Sequence, residues 1–314
     1  MRMRVLVTGG CGFIGSHAAE ALVAAGHEVR VLDNLSTGSL ANLGAVADHV
    51  EMIREDIRNY EAVAAAMEDV DRVLHLAAMV SVTDSVARPL DNHAVNVTGT
   101  LHVLEAARKA GARRVVAASS CAVYGDTPEL PKQENMIPCP ASPYGLSKLC
   151  SEQHLAVFSS LYGLETVSLR FFNVYGPRQD PAGMYAGVIA RFVEAAVTGA
   201  SPFICGDGLQ TRDFVYVKDV VRAVLQALEG PGLGSGEVVN VGSGRSISIL
   251  DLVGALSRAA GRELTPVHGD SRPGDVRHSL ADITRARKLL GFQPGYPLTQ
   301  GLSEILTERT PSLD

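Results

Sequence analysis

At 314 residues, with 46% hydrophobic and 20% charged residues, the chain has enough apolar material for one large core or two smaller lobes, which excludes global disorder. A net charge of −6 offers no broad basic face for a phosphate backbone, so a nucleic-acid binder is excluded, although a few arginines suffice for a small anionic ligand. Cys11, Cys121, Cys139, Cys150 and Cys205 are scattered without a Cys-x-x-Cys pair, and the nine histidines show no metal spacing, so neither a disulfide framework nor a metal site is expected.

The opening Met1-Arg2-Met3-Arg4 runs directly into a strand and is too short for a signal peptide. No apolar run reaches the length of a membrane span, and the expectation is a cytoplasmic protein without a membrane partner. Arg4–Thr8, Glu28–Leu32, Arg72–Leu76, Arg114–Ala118 and Thr166–Leu169 read as buried strands, apolar without alternation. Ala-rich amphipathic stretches such as Phe13–Ala25 and His93–Lys109 lie between them. Strand–helix alternation predicts an α/β, doubly wound parallel sheet of Rossmann type.

After Arg170 glycine and proline become frequent, and helices are expected near Tyr185–Thr198, Lys218–Leu228, Ile249–Ala260 and Ile283–Leu290. This predicts a dinucleotide-binding domain over 1–170, with the chain returning to it around 214–241. A smaller substrate lobe is then built from 171–213 and 242–314.

Thr8-Gly9-Gly10-Cys11-Gly12-Phe13-Ile14-Gly15 joins the first strand to the first helix. Gly9 permits the tight turn, Gly12 lets a pyrophosphate approach the backbone, and Gly15 lets the helix pack closely on the strand. The helix N-terminus offers N–H groups and partial positive charge to phosphates. Asp33 ends the second strand, where a carboxylate accepts from both ribose hydroxyls and repels the extra phosphate of NADP, so NAD is the expected cofactor. Asp56 reaches the adenine amino group or is a solvated loop aspartate.

Tyr144-Gly145-Leu146-Ser147-Lys148 puts a phenol and an ammonium at i and i+4 on one helix face, and Ser142-Pro143 is a natural helix start. Ser119-Ser120 follows the Arg114–Ala118 strand at the ligand-binding edge of the sheet. A phenol is normally too weak a base for an alcohol proton; a neighbouring ammonium favours the phenolate, and a serine hydroxyl holds the reacting oxygen. Tyr-x-x-x-Lys also arises by chance on helices, but here it follows a dinucleotide loop and a strand-end serine pair.

These residues, with Asp33-Asn34-Leu35-Ser36-Thr37-Gly38, His75-Leu76-Ala77-Ala78, Ser119-Ser120-Cys121-Ala122-Val123-Tyr124-Gly125-Asp126 and Arg170-Phe171-Phe172-Asn173-Val174-Tyr175-Gly176-Pro177-Arg178, resemble the extended short-chain dehydrogenases acting on nucleotide sugars. Within that group the likeness is to UDP-glucose and UDP-N-acetylglucosamine 4-epimerases. The resemblance implies Tyr144 as base, Lys148 as its electrostatic partner and ribose ligand, and Ser120 as hydroxyl partner. It implies cofactor contacts at Gly9, Gly12, Phe13, Ile14, Gly15, Asp33, Asn34, Ser36, Thr37, Gly38, Asp56, Ile57, Leu76, Ala77, Ala78 and Asn96, besides Tyr144 and Lys148. Substrate contacts are implied at Ser81, Ser120, Cys121, Tyr144, Asn173, Gln179, Val188, Arg212, Arg272, Asp275 and Ser279, the two arginines gripping the diphosphate. Tyr124 is a sugar-site or a core residue.

Related dehydratases and decarboxylases carry acids just after the Ser/Thr; here Cys121 and Ala122 stand there. Oxidation and re-reduction alone remain, which implies a UDP-hexose 4-epimerase. Ser279, at a gatekeeper position, either leaves room for an acetamido group or is an ordinary small core residue. A UDP-uronate epimerase, a reductase exchanging free cofactor, and a silent NAD-binding scaffold are the competing readings. The resemblance also implies a homodimer through the helices His93–Lys109 and Ser147–Tyr162.

Overall fold

Strands of Val, Leu and Ile without polar alternation have two apolar faces, and both must be covered. The computed structural model describes residues 2–180, 187–271 and 276–309 and meets that demand with a seven-stranded sheet. Its strands are β1 (Arg4–Thr8), β2 (Glu28–Leu32), β3 (Val50–Ile53), β4 (Arg72–His75), β5 (Arg114–Ser120), β6 (Glu165–Phe171) and β7 (Ser235–Val241). They run parallel throughout in the order β7-β6-β5-β4-β1-β2-β3.

Val5 and Val7 of β1 enter one apolar core and Leu6 enters the other. Helix α1 (Phe13–Ala24) contributes Ala18, Ala19 and Leu22 to the first core, and α4 (Val217–Glu229) contributes Val220 and Val224. Helices α2 (Gly99–Ala110) and α3 (Pro143–Tyr162) supply Val103, Leu104, Leu155 and Phe158 to the second. This is the doubly wound α/β fold expected from the sequence. The strand order reverses at β1, so the crevice for ligands opens beyond the carboxyl ends of β1 and β4.

Three local departures carry weight. Strand β5 extends through Ser120, so the serine pair is its last two residues rather than the loop after it. The single helix expected over His93–Lys109 is three pieces: Pro89–His93, a π turn Ala94–Thr98, and α2. The wide turn lets the carbonyl of Asn96 accept from Thr100 Oγ1 at 2.6 Å and from Ser151 Oγ at 3.0 Å. Phe214–Tyr216 stays outside the large sheet and pairs in parallel with Asn173–Tyr175, leaving α4 and β7 as the returning segments.

The remaining chain folds around short strand pairs. Thr211–Arg212 runs antiparallel to Ile247–Ser248, and Phe203–Cys205 runs parallel to Val267–Gly269. Buried Asp213 staples this region together. Its carboxylate accepts from Ser243 N at 2.7 Å, Ser243 Oγ at 2.6 Å, Gly244 N at 3.0 Å and Ala281 N at 3.1 Å.

Helix α3 is placed by chemistry at both ends and in its middle. Ser142 Oγ caps it by accepting from Gly145 N at 3.1 Å, Pro143 occupies its first turn, and Gly163 ends it at φ +70°. In the middle Glu152 meets Arg170 of β6 through two bonds of 2.8 and 2.7 Å, and Ser119 Oγ donates to Glu152 at 2.5 Å. Both ionic side chains are almost wholly buried. Breaking a buried pair leaves one charge uncompensated, so Arg170→Met is expected to lower unfolding stability by about 3–5 kcal/mol. The double variant Arg170→Met/Glu152→Met recovers most of that loss, and urea denaturation of the three proteins checks it.

Candidate active site

The glycine loop is built from backbone contacts that no side chain would survive. Gly9 sits at φ +71°, and a Cβ there would lie 2.7 Å from the amide nitrogen of Ala77. At Gly15 a Cβ would come 2.1 Å from Gly9 O, and at Gly38 it would come 2.7 Å from the carbonyl carbon of Cys11. Three segments, Thr8–Gly15, Leu76–Ala78 and the turn at Gly38, therefore close on one another backbone to backbone. Gly12 differs: its Cβ direction meets only Gly9 O, at 3.2 Å, so its outer side is open. It stands at the N-terminus of α1, which no side chain caps, so Gly12, Phe13 and Ile14 present an uncapped helix end to an anion.

Asp33 lies beside this loop, nearly buried, accepting from Cys11 N at 2.9 Å and Leu35 N at 2.8 Å. A carboxylate offers about four acceptor sites, so two remain for a pair of ribose hydroxyls. A tight glycine cradle, an open helix end and an acceptor carboxylate fit an adenine dinucleotide with a free ribose. Ser36 and Thr37 stand exposed on the rim, and Ile57 is buried behind it against Gly99. Asp56 is held by Arg58 at 2.9 and 2.8 Å and by Asn34 Nδ2 at 2.8 Å, and the Arg58 hydrogen bond pulls it down to about 2.

A buried hydrogen-bonded chain links this cradle to α3. Ala77 N donates to Thr8 Oγ1, which lies 2.7 Å from His75 Nδ1, and His75 Nε2 lies 3.0 Å from Thr100 Oγ1. Thr100 spends its own hydrogen on Asn96 O, so it accepts from His75 Nε2–H, and Nδ1 accepts from Thr8. Asn96 continues the chain. Its Oδ1 accepts from Met79 N at 2.8 Å, and its Nδ2 donates to Met79 O and to Ser147 Oγ, each at 3.0 Å. Expected from the sequence to touch the cofactor, Asn96 has its side-chain amide bonded within the protein and fixes the loop that follows Ala78.

Ser120, Tyr144 and Lys148 come together where β5 ends against the head of α3. Ser120 Oγ accepts from Ala122 N at 3.1 Å and stands beside the Tyr144 phenol. Burial pushes that phenol up to about 12, with Ser120 pulling the other way. Lys148 Nζ donates to Ala118 O at 2.8 Å; burial draws the ammonium down to about 8, and the Glu152 carboxylate opposes that shift. Gly145 is required at the helix head, because a Cβ there would lie 2.7 Å from Ala122 O. The Tyr144 amide donates to Ser85 Oγ at 3.0 Å, a positioning contact with no sequence signal.

Cys121 lies next to this group. Burial pushes its thiol up to about 11, against the attraction of Arg212. Tyr124 is a core residue: it is buried, its hydroxyl donates to Asn240 Oδ1 at 2.7 Å, and the Arg170 guanidinium lies 4.7 Å from its ring centre.

Beyond Cys121 a cleft of about 250 Å³ opens in the second lobe, lined by Asn173, Val188, Phe192, Phe203, Gln210 and Arg212 among others. Asn173 Oδ1 is buried there without a partner. Phe203 is 54% exposed and lies where a Cβ on Gly269 would be, 2.3 Å from its ring, so Gly269 gives the ring its seat. Ser279 is buried one strand-step from Arg212, its N donating to Thr211 O at 3.1 Å.

Two expected substrate contacts are engaged elsewhere. Ser81 Oγ caps the helix Val82–Ala87 by accepting from Asp84 N at 2.9 Å. Gln179 turns toward Val174 O at 3.4 Å and lines a separate small hollow with Arg178 and Arg309. Arg272 and Asp275 lie outside the described residues. Phe203 and Gln210 escaped the sequence reading, because their strand is only three residues long and Gln210 stands outside it. Among the described residues no His, Cys, Asp or Glu cluster fits a metal ion, and no helix is long and apolar enough to cross a membrane.

His75 generates a pH prediction. Burial lowers its imidazole to about 3, so the folded protein keeps it neutral while the unfolded chain takes a proton below about 6.5. The folded state binds fewer protons in that window, so stability falls as pH drops through it. Between pH 6.5 and 5 the wild type should lose about 2 kcal/mol that His75→Gln does not lose. Comparing the pH slopes of denaturant unfolding for the two proteins measures this.

Residues 5–242 match the family model described as the NAD dependent epimerase/dehydratase family. A UDP-glucose 4-epimerase of Mycolicibacterium smegmatis is 44% identical over 308 residues, covering 97% of each chain. Among solved structures, a UDP-N-acetylglucosamine 4-epimerase from Methanobrevibacter ruminantium, in complex with UDP-N-acetylmuramic acid, superposes with a TM-score of 0.93 at 38% identity, covering 98% of this chain and 97% of that one. A UDP-glucose 4-epimerase of Thermotoga maritima, with UDP-glucose, gives 0.92 at 40% identity over 97% and 98%. The family model spans well over half of the chain, and these relatives match it almost end to end: the protein is a member of the NAD-dependent epimerase/dehydratase family.

Proposed function

We propose that this enzyme inverts carbon 4 of a UDP-hexose by oxidising it to a 4-keto sugar and reducing it on the opposite face. One observation carries the reading: the site that holds Ser120, Tyr144 and Lys148 continues into Cys121 and Ala122, with no carboxylate to drive elimination or decarboxylation. The thiol of Cys121 is held neutral by burial, so it supplies no second acid–base pair at neutral pH.

The Gly9–Gly15 cradle, Asp33 and the Leu76–Ala78 loop hold NAD, which when bound supplies a reversible hydride acceptor. Tyr144 removes the proton from the sugar hydroxyl as carbon 4 is oxidised, and returns it after re-reduction. Ser120 holds the reacting oxygen in line with the phenol. Burial and the neighbouring Cys121 thiol oppose the phenolate, Ser120 favours it, and the proposed role of the Lys148 ammonium, itself supported by Glu152, is to favour it further once a ligand is bound. Arg212 grips the diphosphate through charge-assisted bonds, and Arg272 is proposed as its partner. Firm anchorage there leaves the flat keto-sugar free to turn its other face. The small Ser279 leaves room for an acetamido group, so UDP-GlcNAc and UDP-GalNAc are accepted beside UDP-Glc and UDP-Gal.

Proton NMR of the purified enzyme with UDP-Glc, UDP-GlcNAc and UDP-glucuronic acid, without added cofactor, tests the reading. It requires new galacto-configured anomeric signals and the same final mixture from either epimer; an accumulating keto or unsaturated product overturns it. Tyr144→Phe should lower kcat about 10²–10⁴-fold while UDP binding is retained.

The proposed homodimer forms through α2 and α3. Val157, Leu161 and Tyr162 stand 45%, 69% and 52% exposed on α3, an apolar face that a second copy would bury. Light scattering should give twice the chain mass, and Leu161→Glu should halve it while leaving the fold intact.

A further inference from the structure

A helix leaves its first backbone N–H groups without partners inside the helix, and each must find one elsewhere. At the head of α3, Pro143 has no N–H, and Gly145 N is taken by Ser142 Oγ at 3.1 Å. Leu146 N is the first to reach a carbonyl of its own segment, Ser142 O at 2.9 Å. The amide left over is that of Tyr144. It donates at 3.0 Å to Ser85 Oγ on the helix Val82–Ala87, 59 residues earlier in the chain. Ser85 is fully buried and spends its own hydrogen on Val82 O at 2.6 Å, so a lone pair is what it turns toward Tyr144.

The helix that carries Ser85 is built the wrong way round for apolar packing. Val82 and Val86 stand 47% and 62% exposed, while Ser85 is the one buried residue of the six. A surface helix normally turns its valines inward, so this one owes its place to polar contacts. Ser81 Oγ starts it by accepting from Asp84 N, and Met79 just before it is gripped through both backbone groups by Asn96. The same segment reaches the other end of Tyr144. Ser147 Oγ donates to Tyr144 O at 2.8 Å and accepts from Asn96 Nδ2 at 3.0 Å. The main chain of Tyr144 is therefore held at its N–H by Ser85 and at its C=O by Ser147. Both holds trace back to residues 79–96, which follow the Leu76–Ala78 loop of the cofactor cradle.

We infer, on the proposed reading of Tyr144 as the base, that Ser85 is a positioning residue: its hydroxyl fixes where the tyrosine backbone stands, and so where the phenol meets the reacting hydroxyl. Without that acceptor the Tyr144 amide is left unpaired, and the first turn of α3 must shift to satisfy it. A shift of about 1 Å is enough to spoil proton transfer, which needs the phenol within hydrogen-bond reach of the proton it takes. On the same reading the nucleotide is held by the second lobe, so the loss falls on turnover and spares binding.

Steady-state kinetics of the holoenzyme with UDP-Glc and with UDP-GlcNAc, for Ser85→Ala, Ser85→Thr and Ser85→Val, test it. Ser85→Ala should lower kcat about ten- to a hundredfold and leave KM unchanged. Threonine and valine share a shape and differ in the hydroxyl, so Ser85→Thr should recover most of kcat and Ser85→Val should not. A wild-type kcat in Ser85→Ala overturns the assignment, as does a rise in KM in place of the fall in kcat. Equal losses in the Thr and Val variants overturn it too, by making Ser85 a matter of packing alone. Amide hydrogen exchange followed by NMR needs no turnover. The Tyr144 N–H should be protected in the wild type and released in Ser85→Ala, and rapid exchange in the wild type overturns the assignment. If the variants do not fold, judged by their circular dichroism melts, the wild-type exchange decides alone. The two readings fail differently: a wild type that protects the Tyr144 amide but converts neither sugar sinks the proposed reaction and leaves Ser85 holding that amide.

Discussion

The buried ion pair between Glu152 and Arg170 is the interaction on which the arrangement of the site depends. It fixes α3 to β6 in the middle of the helix, and the Ser119 hydroxyl adds β5 to the same joint. One turn earlier on the same face stands Lys148, and one turn before that Tyr144, so the rotation and height of the helix decide where both point. The pair is also electrostatic support. Burial alone works against an ammonium at Lys148, and the Glu152 carboxylate is what opposes it. Arg170 in turn covers the ring of Tyr124, whose hydroxyl reaches Asn240 on β7. One desolvated pair thus ties three strands to the helix that carries Tyr144 and Lys148.

The cofactor side rests on a different kind of contact. Gly9, Gly15 and Gly38 bring backbones together at distances that leave no space for a Cβ, so the cradle owes its shape to atoms that every residue has and to the absence of those most residues add. His75 connects that cradle to α3 through Thr8, Thr100, Asn96 and Ser147, each bond consuming a donor the next group needs as an acceptor. A direction runs along the chain and selects one imidazole tautomer. Burial first, and then the nearby Lys148 ammonium, hold His75 neutral.

What the sequence made legible follows from which forces are local. The strands showed as runs without alternation because parallel strands are covered on both faces, and Val5, Leu6 and Val7 bear this out residue by residue. Tyr144 and Lys148 were visible because a four-residue spacing is enough to place two groups on one helix face. The end of β5 was read two residues short, since Ser119 and Ser120 have no apolar signature and are held by pairing with Arg170 and Phe171. The π turn around Asn96 was invisible for a similar reason: one of the hydroxyls its Asn96 carbonyl accepts from is on Ser151, far along the chain. Phe203 belongs to a three-residue strand paired with Val267–Gly269, and Gln210 is tied to that strand only through the carbonyl of Cys205. Short elements held by distant partners leave almost no periodic trace.

These two modes of construction bear on how such an enzyme changes its substrate without changing its reaction. Backbone contacts in the cradle and the buried pair under α3 tolerate little substitution, because each change would require a backbone to move or a charge to go unpaired. The second lobe is different. Its cleft is walled by side chains from two- and three-residue strands and from the helix Val188–Thr198, with Asp213 bonding to backbone amides at 243, 244 and 281. Because that staple grips main chain, side chains such as Ser279 and Phe203 can vary in front of it while the wall stays in place. On the proposed reading, a ligand anchored by its nucleotide end to such a wall leaves the reacting sugar against a neutral thiol and the Tyr144 phenol, the one proton-transfer group proposed among the described residues. One group that takes a proton and gives it back, without a second to expel water or carbon dioxide, supports a reaction that returns its substrate at the same oxidation level.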